Sequence, residues 1–495
     1  MLETRTSEIV VTKDLLEQPV WRAEQLGQPI PASSHAVSVA LPRWRDVVGY
    51  EEKHPEVVSR MSSGYPRFVV HPLVQELGRW IGDGASCLPF PSRKVAEQCV
   101  AFVRHTAGVE AKLVEREGLD GVVADGAGLT AMKLFWQHTG LIVSSRQAVA
   151  LLAGRRERQV ENEARRSLRK QLASFYDCAP EDVFLQPTGM AAEFAALRAV
   201  LARTPGRPTA QLGFPYVDTL KLQQKFGPGG ILLHHLDTIE TKLRSLLERE
   251  RLSGCFCEIP GNPLLGSADL RAVSPLLRAH KVPLVVDDVV ATPFNIDLGP
   301  YADLIATSLT KFLVGTGDAM GGALICNPRS PLYRELKAFI SAQHEELLWP
   351  EDAAVLTTQA ADFPRRMALH NRNGLQLAER LRLHPAIERV WYPKWEFNEA
   401  YEAVRRPNGG WGALLTFLPK DGPRNAPAIY DQLPLCKGPS LGTVFTLACP
   451  FTLLAHYTEL EWAEACGVSR FLIRLSVGLE DPDDLWRRLK PALGS

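Results

Sequence analysis

The stretch Val282-Pro283-Leu284-Val285-Val286-Asp287-Asp288 decides the fold class of this 495-residue chain. It is an almost continuous apolar run that ends in two carboxylates, a pattern typical of a strand buried on both faces of a parallel sheet. A second run, Leu304-Ile305-Ala306, leads in the same way into Ser308-Leu309-Thr310-Lys311. Ligands of such sheets bind at the carboxyl ends of the strands, so these polar side chains indicate where a site would lie.

Strands and helices alternate on both sides of this stretch, which predicts an α/β fold with a mainly parallel sheet covered by helices. The predicted strands span residues 183–185, 230–233, 255–258, 282–286 and 304–306. The predicted helices span residues 147–152, 155–175, 189–201, 239–247 and 270–279. Farther along, a long helix at 370–383 and strands at 412–417 and 471–477 predict a smaller α+β domain.

The composition excludes several classes of protein. Charge is balanced, with 56 Lys+Arg against 56 Asp+Glu, whereas a nucleic-acid binder usually carries a basic surplus. Glu3 and Glu8 stand where a signal peptide needs basic and then apolar residues, and no apolar run reaches the length of a membrane span. The nine cysteines are sparse, and Cys255 and Cys257 lack zinc-type spacing. We therefore expect a cytoplasmic protein without a metal site and without nucleic-acid or membrane partners.

The polar residues at the strand ends have types that suit one cofactor. The Lys311 amine could form a Schiff base with a carbonyl cofactor, and the hydroxyls of Ser308 and Thr310 could bind a phosphate. Asp287 could keep a pyridine nitrogen protonated, as pyridoxal 5'-phosphate (PLP) chemistry requires. The sequence therefore suggests a PLP site at this edge of the sheet.

Two further segments supply the remaining parts of such a site. Thr188-Gly189-Met190 lies at a predicted strand-to-helix turn, where free backbone N–H groups bind phosphate. Tyr216 is an aromatic ring available to stack on a cofactor. Each residue alone has an ordinary structural explanation, such as a solvated lysine, a helix cap or a core ring. Those explanations do not account for the whole set near strand ends.

Three motifs resemble the Cys/Met-metabolism PLP enzymes, which have fold type I, the aspartate-aminotransferase-like fold. They are Glu258-Ile259-Pro260-Gly261-Asn262-Pro263, Val285-Val286-Asp287-Asp288-Val289-Val290-Ala291-Thr292-Pro293 and Ser308-Leu309-Thr310-Lys311. This resemblance covers roughly residues 145–490. The segments 35–42, 64–68, 135–140, 214–220 and 439–443 resemble the fungal-type cystathionine γ-synthases and extend the likeness to most of the chain.

The resemblance implies a role for each matched residue. Lys311 would carry the cofactor and shuttle protons, and Tyr216 would stack on the cofactor ring and assist proton transfer. Arg474 would bind the substrate α-carboxylate, and Ser440 would line the substrate side. The other implied cofactor contacts are Thr188, Gly189, Met190, Ser308 and Thr310 at the phosphate, Asp287 at the pyridine nitrogen and Asn262 near the ring oxygen.

The chain departs from the family pattern at two places. The wider family has a Tyr-x-Arg pair that reaches the phosphate of the neighbouring subunit, and here Ser144-Ser145-Arg146 occupies the expected position. Tyr65-Pro66-Arg67 offers an alternative pair, but Arg146 is favoured because it directly precedes the helix that leads to Thr188. The second departure is Asp288-Val289, where many relatives have Asn-Thr.

The implied reaction is γ-replacement on an O-acylhomoserine by cysteine, giving L-cystathionine for methionine biosynthesis. The alternative is γ-elimination, or γ-substitution by another nucleophile in specialised amino-acid metabolism. The expected assembly is a homodimer or homotetramer with sites at the subunit interface. We expect an amino-terminal region at 1–145 whose first thirty residues form a loosely attached arm, a PLP-binding domain at 146–345 and a carboxyl-terminal domain at 346–495, in keeping with about three domains for this length.

Overall fold

The computed structural model describes residues 15–156 and 163–494. The strands of these residues form three sheets of three, seven and five strands. One sheet lies within each of the three ranges expected from the sequence. No helix in the described part of the chain is long and apolar enough to cross a membrane.

The amino-terminal region contains a small antiparallel sheet with helices packed against it. Its strands are β1 (Cys87–Pro89), β2 (Lys112–Arg116) and β3 (Leu119–Val123), in the spatial order β1-β3-β2. The helices up to residue 152 are Trp44–Glu51, Pro55–Val58, Pro72–Ile81, Arg93–Ala107, Gly126–Thr139 and Ser145–Leu152.

The expectation of a loosely attached arm is wrong for residues 15–30. Leu15 and Ile30 are buried in one apolar cluster with Cys436, Phe445 and Leu447 of the carboxyl-terminal region. Burial of these side chains favours docking of the segment, because apolar surface leaves water. Residues 1–14 lie outside the described part of the chain.

The seven-stranded sheet is mainly parallel, which confirms the predicted fold class. Its strands are β4 (Val183–Gln186), β5 (Thr209–Leu212), β6 (Gly230–Leu233), β7 (Gly254–Glu258), β8 (Leu284–Asp287), β9 (Leu304–Ser308) and β10 (Gly322–Cys326). Their spatial order is β4-β10-β9-β8-β7-β5-β6, with β10 antiparallel to both of its neighbours. Strands β7, β8 and β9 are buried along nearly their whole length, as their apolar sequences predict. Strand β5 is equally buried, but the sequence pattern does not predict it, because Thr209 and Gln211 interrupt its apolar residues.

Helices alternate with these strands as the sequence pattern predicts. In the central region they are Glu163–Tyr176, Gly189–Arg203, Val217–Phe226, Ile239–Arg249, Leu270–Ala279, Thr292–Asn295 and Tyr333–Gln343. The predicted helix at 155–175 is thus seen from Glu163 onward, and its residues 157–162 lie outside the described part.

The carboxyl-terminal sheet contains β11 (Ile387–Trp391), β12 (Leu414–Pro419), β13 (Cys436–Lys437), β14 (Leu447–Cys449) and β15 (Ile473–Ser476). Its order is β11-β12-β15-β14-β13, and only the β13–β14 pair is parallel among the described strands of this sheet. The accompanying helices are Pro350–Gln359, Phe363–Arg382, Asn398–Glu402, Gly422–Gln432, Phe451–His456, Leu460–Ala465 and Pro482–Leu489. Short 3₁₀ helices occur at Ala23–Gln25, Pro180–Asp182, Leu236–Thr238, Ala360–Asp362, Tyr457–Glu459 and Lys490–Leu493.

Candidate active site

Two neighbouring strands of the large sheet end beside each other in polar residues. Asp287 is the last residue of β8 and pairs with Ala306, two positions before Ser308 at the end of β9. Lys311 follows in the turn after β9. Residues that the sequence pattern placed at strand ends therefore lie at one edge of the sheet.

Lys311 is buried and has partners from two distant parts of the chain. Its Nζ donates a 3.1 Å hydrogen bond to Oγ of Ser440 and lies 4.5 Å from the centre of the Tyr65 ring. Burial lowers the pKa of Lys311 below its ordinary value, and the charges of Arg474 and Arg67 add to this effect, while Tyr65 opposes it. A lowered pKa favours the neutral amine, which is the form that acts as nucleophile and base.

The helix Gly189–Arg203 begins against the end of β9. Thr188 caps this helix: its hydroxyl accepts a 3.1 Å hydrogen bond from the N–H of Ala191 and donates a 2.9 Å bond to the carbonyl of Gly140. A Cβ on Gly189 would lie 2.6 Å from Cβ of Ser308, so only glycine allows this approach. The helix amino terminus beside a serine hydroxyl suits a phosphate group.

Met190 and Thr310 also lie in this part of the molecule. Met190 is a buried residue in the first turn of the helix. The Thr310 hydroxyl accepts a 3.2 Å hydrogen bond from the N–H of Gly321, so it also stabilises the turn that carries Lys311.

Three carboxyl groups interact electrostatically near the end of β8, and of these Glu193 and Glu258 are buried and Asp287 is partly buried. Asp287 accepts a 2.7 Å hydrogen bond from the N–H of Val289, and burial raises its pKa to about 6 despite that bond. Glu258 accepts hydrogen bonds from the N–H groups of Tyr216 and Asn262, and burial followed by the charge of Asp287 raises its pKa to about 8. Such a cluster suits a bound cation, because a positive charge would stabilise the ionised carboxyls.

Glu193 is the third of these carboxyls, and the sequence reasoning missed it. It lies on the helix Gly189–Arg203, it is 3% exposed, and its Oε2 has no hydrogen-bond partner among the described residues. Burial first, and then the charges of Asp287 and Glu258, raise its pKa well above the ordinary value. The available signal was one carboxylate within the otherwise apolar run Met190-Ala191-Ala192-Glu193-Phe194. An unpaired buried acid beside Asp287 fits a site built for a protonated pyridine ring.

Asp288, the departure noted in the sequence, has a partner of its own. Its Oδ2 accepts a 2.8 Å hydrogen bond from the hydroxyl of Tyr176. Burial raises the pKa of Asp288 to about 7, while the hydrogen bonds from Thr307 and Tyr176 oppose the shift.

Arg474 of β15 and Lys311 both contact Ser440. The Arg474 guanidinium donates to Oδ1 of Asn262 at 3.3 Å and to the carbonyls of Ser440 and Pro439 at 3.0 and 3.2 Å. These partners are all neutral, and the side chain is 3% exposed. A buried guanidinium with neutral partners is well suited to bind a carboxylate in a two-pronged ion pair.

The segment that contains Tyr65 and Arg67 reaches the same site. Arg67 donates 2.6 Å hydrogen bonds to the hydroxyl of Tyr216 and to Oδ2 of Asp218. Asp218 is fully buried, and its Oδ1 also accepts a 3.1 Å bond from Nε2 of Gln137. Burial opposes ionisation of Asp218, but the charges and hydrogen bonds of Arg67 and His138 together outweigh it and hold the pKa of Asp218 well below its ordinary value.

Arg146, the arginine that the sequence favoured for the phosphate, has different partners. Its Nη1 donates a 2.5 Å hydrogen bond to the carbonyl of Asp318 and lies 3.4 Å from a carboxylate oxygen of Asp352. The structure thus brings Arg67 to Tyr216 and places Arg146 between two acidic residues.

Two known protein families match successive parts of the chain. Residues 147–494 match the family described as Cys/Met metabolism PLP-dependent enzyme. Residues 69–144 match the family described as fungal trans-sulfuration enzyme, N-terminal domain. The two matches together include most of the site residues described above; Tyr65 and Arg67 lie just before the first match, and Arg146 lies in the two-residue gap between them.

Individual relatives are similar to this chain over nearly its whole length. Cystathionine γ-synthase of Neurospora crassa is 33% identical over 93% of this chain and 96% of its own. L-2-amino-4-chloropent-4-enoate dechlorinase/desaturase of Streptantibioticus cattleyicolor is 32% identical over 92% of this chain and 95% of its own. The crystal structure of cystathionine γ-synthase from Xanthomonas oryzae pv. oryzae in complex with cystathionine superimposes with a TM-score of 0.61 at 27% identity, covering 68% of this chain and 88% of that one.

Proposed function

Because the chain belongs to the Cys/Met metabolism PLP-dependent enzyme family, we propose that it replaces the acyloxy group of O-succinyl- or O-acetylhomoserine by the sulfur of cysteine, giving L-cystathionine for methionine biosynthesis. The observation that carries this proposal is the position of Lys311 beside Ser440, whose carbonyl is bound by Arg474. Ser440 therefore connects the Lys311 amine, which would transfer protons, to the Arg474 guanidinium, which would bind a carboxylate. An α-amino acid substrate needs both groups, because its α-proton and its α-carboxylate are on the same carbon.

The residues of the site fit PLP. We propose that the phosphate is held at the start of the helix Gly189–Arg203, that Asp287 pairs with the pyridine nitrogen and that Tyr216 stacks on the ring. The remaining proposed contacts are Thr188, Met190, Ser308, Thr310, Lys311 and Asn262. When bound, PLP supplies an electron sink for negative charge that develops at the substrate α-carbon.

The chain's own residues would then bind the substrate and move protons. Arg474 would orient the substrate by its α-carboxylate, with Ser440 beside it. Lys311 would take the α-proton and return a proton after replacement, and its burial lowers the pKa of the amine and so favours the neutral form that this step requires. Holding the amine against the substrate in one geometry supplies a large part of the rate gain.

The proposed reaction balances without an additional reactant. The carbon–oxygen bond at the γ-carbon breaks, and succinate or acetate leaves with the electron pair. The cysteine thiolate forms the new sulfur–carbon bond at the same carbon. The α-proton removed by Lys311 is replaced by one proton in the product.

A second candidate function is elimination of a γ-substituent without its replacement by cysteine, or substitution by another nucleophile. A relative of nearly equal identity carries the name of a dechlorinase and desaturase of a chlorinated amino acid, which favours this candidate. Both reactions use the same lysine and the same carboxylate-binding arginine. They differ in whether a nucleophile adds to the γ-carbon after the leaving group departs, and in which nucleophile this is.

The proposal extends to assembly and location. By its family resemblance, the enzyme is proposed to be a cytoplasmic homodimer or homotetramer with active sites at the subunit interface. The proposed domains are residues 1–145, 146–345 and 346–495, with the first contributing to the active site.

A product analysis distinguishes the two reactions. Purified protein loaded with PLP is incubated with O-succinyl- or O-acetylhomoserine, with and without cysteine, and the amino acids and keto acids are quantified. We expect cystathionine to form only with cysteine present and 2-oxobutanoate to decrease in return. Equal 2-oxobutanoate formation with and without cysteine, with no cystathionine, would refute the synthase and support elimination.

A further inference from the structure

A buried ion pair between Arg67 and Asp218 contacts the hydroxyl of Tyr216. Arg67 is 4% exposed and remains charged at any pH that the protein tolerates, so its charge needs a counterion. Asp218 supplies this counterion at 2.6 Å. Gln137 donates to the other carboxylate oxygen of Asp218, and Nδ1 of His138 lies 3.2 Å from the same oxygen. Two parts of the amino-terminal region thus converge on one aspartate.

This ion pair is in contact with the phenols of the site. The same Arg67 that binds Asp218 donates to the hydroxyl of Tyr216, and its guanidinium lies 5.5 Å from the centre of the Tyr65 ring. Tyr65 in turn lies under the amine of Lys311. The contacts therefore run from Asp218 through Arg67 to both tyrosines and on to the catalytic lysine.

We propose that Asp218 is a positioning residue that acts through Arg67: it holds the guanidinium against Tyr216 and balances its charge, and it thereby sets the pH at which Tyr216 and Tyr65 ionise beside Lys311. This role goes beyond the cofactor and substrate contacts assigned above. Its effect on catalysis rests on the proposed function, whereas its effect on the tyrosines does not.

The direction of the effect follows from the charges around the two phenols. The charged and titratable groups that face this cluster are Lys311, Arg67, Arg474, Asp218, His138 and Glu258. Burial raises the pKa of Tyr216, Arg67 lowers it and Asp218 raises it again. Burial also opposes ionisation of Tyr65, but the charges of Lys311 and Arg67 outweigh it and lower its pKa. Removal of the Asp218 charge leaves the Arg67 charge unbalanced, so both phenols should ionise more readily.

The test is a pH titration of full-length Asp218→Asn protein. In protein stripped of PLP, the near-ultraviolet absorbance of tyrosinate reports ionisation of the phenols, with Tyr65→Phe and Tyr216→Phe identifying the two contributions. We expect the titration to move downward by about one pH unit. In the PLP-loaded enzyme the pH profile of kcat/KM should move in the same direction.

A matched control separates this role from a general loss of stability. Asp303 is an equally buried aspartate at the opposite end of β9, where its carboxylate accepts from Ser330 and from the N–H of Leu284. Asp303→Asn should destabilise the protein without moving the tyrosinate titration. Unchanged tyrosinate titration in folded Asp218→Asn would overturn the proposal, even if activity falls.

A second variant keeps the test decisive should Asp218→Asn fail to fold. Arg67→Met/Asp218→Leu removes both charges, and apolar pairs commonly replace buried ion pairs without loss of folding. Because the positive charge then disappears, the two phenols should ionise at a higher pH than in the wild type. A downward shift or no shift in this variant would also overturn the proposal. Absence of cystathionine synthesis in the wild type would refute the proposed function but leave this titration unaffected.

Discussion

The guanidinium of Arg67 donates a 2.6 Å hydrogen bond to the hydroxyl of Tyr216, although 149 positions separate the two residues in the chain. Arg67 belongs to the amino-terminal region, and Tyr216 follows strand β5 of the large sheet. The amino-terminal region is therefore part of the site. This contact also makes the two candidate arginines experimentally distinguishable.

Arg67→Ala should weaken PLP binding, because the variant loses the cation next to Tyr216. Arg146→Ala should lower stability, because it leaves Asp352 without its ion-pair partner, but the affinity for PLP should stay near that of the wild type. Equilibrium binding of PLP to the stripped proteins, together with thermal unfolding, checks both expectations. The opposite order of affinities would support Arg146 as the phosphate-binding residue.

Lys311→Ala should abolish turnover and leave no covalent attachment of PLP. Wild-type protein should be yellow when loaded, and reduction with borohydride followed by peptide mapping should place the pyridoxyl group on Lys311. Lys437 serves as the control, because it is the other buried lysine among the described residues. Its amine donates hydrogen bonds to the carbonyls of Pro42 and Asp431. Modification of Lys437, or residual turnover in Lys311→Ala, would contradict the assigned role.

Arg474→Ala should mainly weaken binding of the amino-acid substrate, at a cost of about 2–4 kcal/mol for a lost charge-paired contact. Arg470→Ala is a control from the same segment, since Arg470 is paired with Glu464 at the surface. Steady-state kinetics should show a raised KM for the acylhomoserine in the first variant and wild-type values in the second. An unchanged KM in Arg474→Ala would rule out the carboxylate contact.

Gly189→Ala should weaken PLP binding about tenfold or more, because the added Cβ would lie 2.6 Å from Cβ of Ser308. The helix start and β9 would have to separate, and this would displace the backbone N–H groups that we propose hold the phosphate. Gly189→Ala/Ser308→Gly removes the clashing atom and should recover the spacing of the two elements. PLP titration of the single and double variants measures their affinity for PLP, and thermal unfolding measures their stability. Wild-type affinity in the single variant would exclude a phosphate at this turn.

Glu193→Gln should stabilise the PLP-free protein increasingly as pH rises above about 4.3, the ordinary pKa of a glutamate. The raised pKa in the folded state means that folding favours the protonated acid, so the stabilising contribution of Glu193 is present at low pH and is lost as pH rises through the raised pKa. The amide carries no charge and escapes this loss. Urea unfolding at acidic and neutral pH should show a gain of about 1 kcal/mol or more at neutral pH.

Glu248→Gln provides the comparison for Glu193, because Glu248 lies exposed on the helix Ile239–Arg249. Its free energy of unfolding should follow that of the wild type at both pH values. A Glu193→Gln variant that is less stable than the wild type at neutral pH would mean that the carboxylate is ionised and favourably bound in the folded protein.

The sequence by itself determined the fold class and the residues of the cofactor edge. Apolar runs that end in Asp287 and in Ser308 predict parallel strands, because only strands buried on both faces carry no polar alternation. Adjacent parallel strands end at one edge, so the local pattern also placed Lys311 beside them. Motif spacing within one short segment is sufficient for such inferences.

Only the tertiary structure decided which distant segments complete the site. Arg67 ends the short motif Tyr65-Pro66-Arg67, and Arg146 ends the short motif Ser144-Ser145-Arg146. Nothing in the local sequence distinguishes an arginine that contacts Tyr216 from one that is paired with Asp352. Glu193 likewise reads as one acid in a helix until packing buries it beside Asp287. These contacts depend on how the three sheets and their helices pack, and long-range packing leaves no periodicity in the chain from which to predict it.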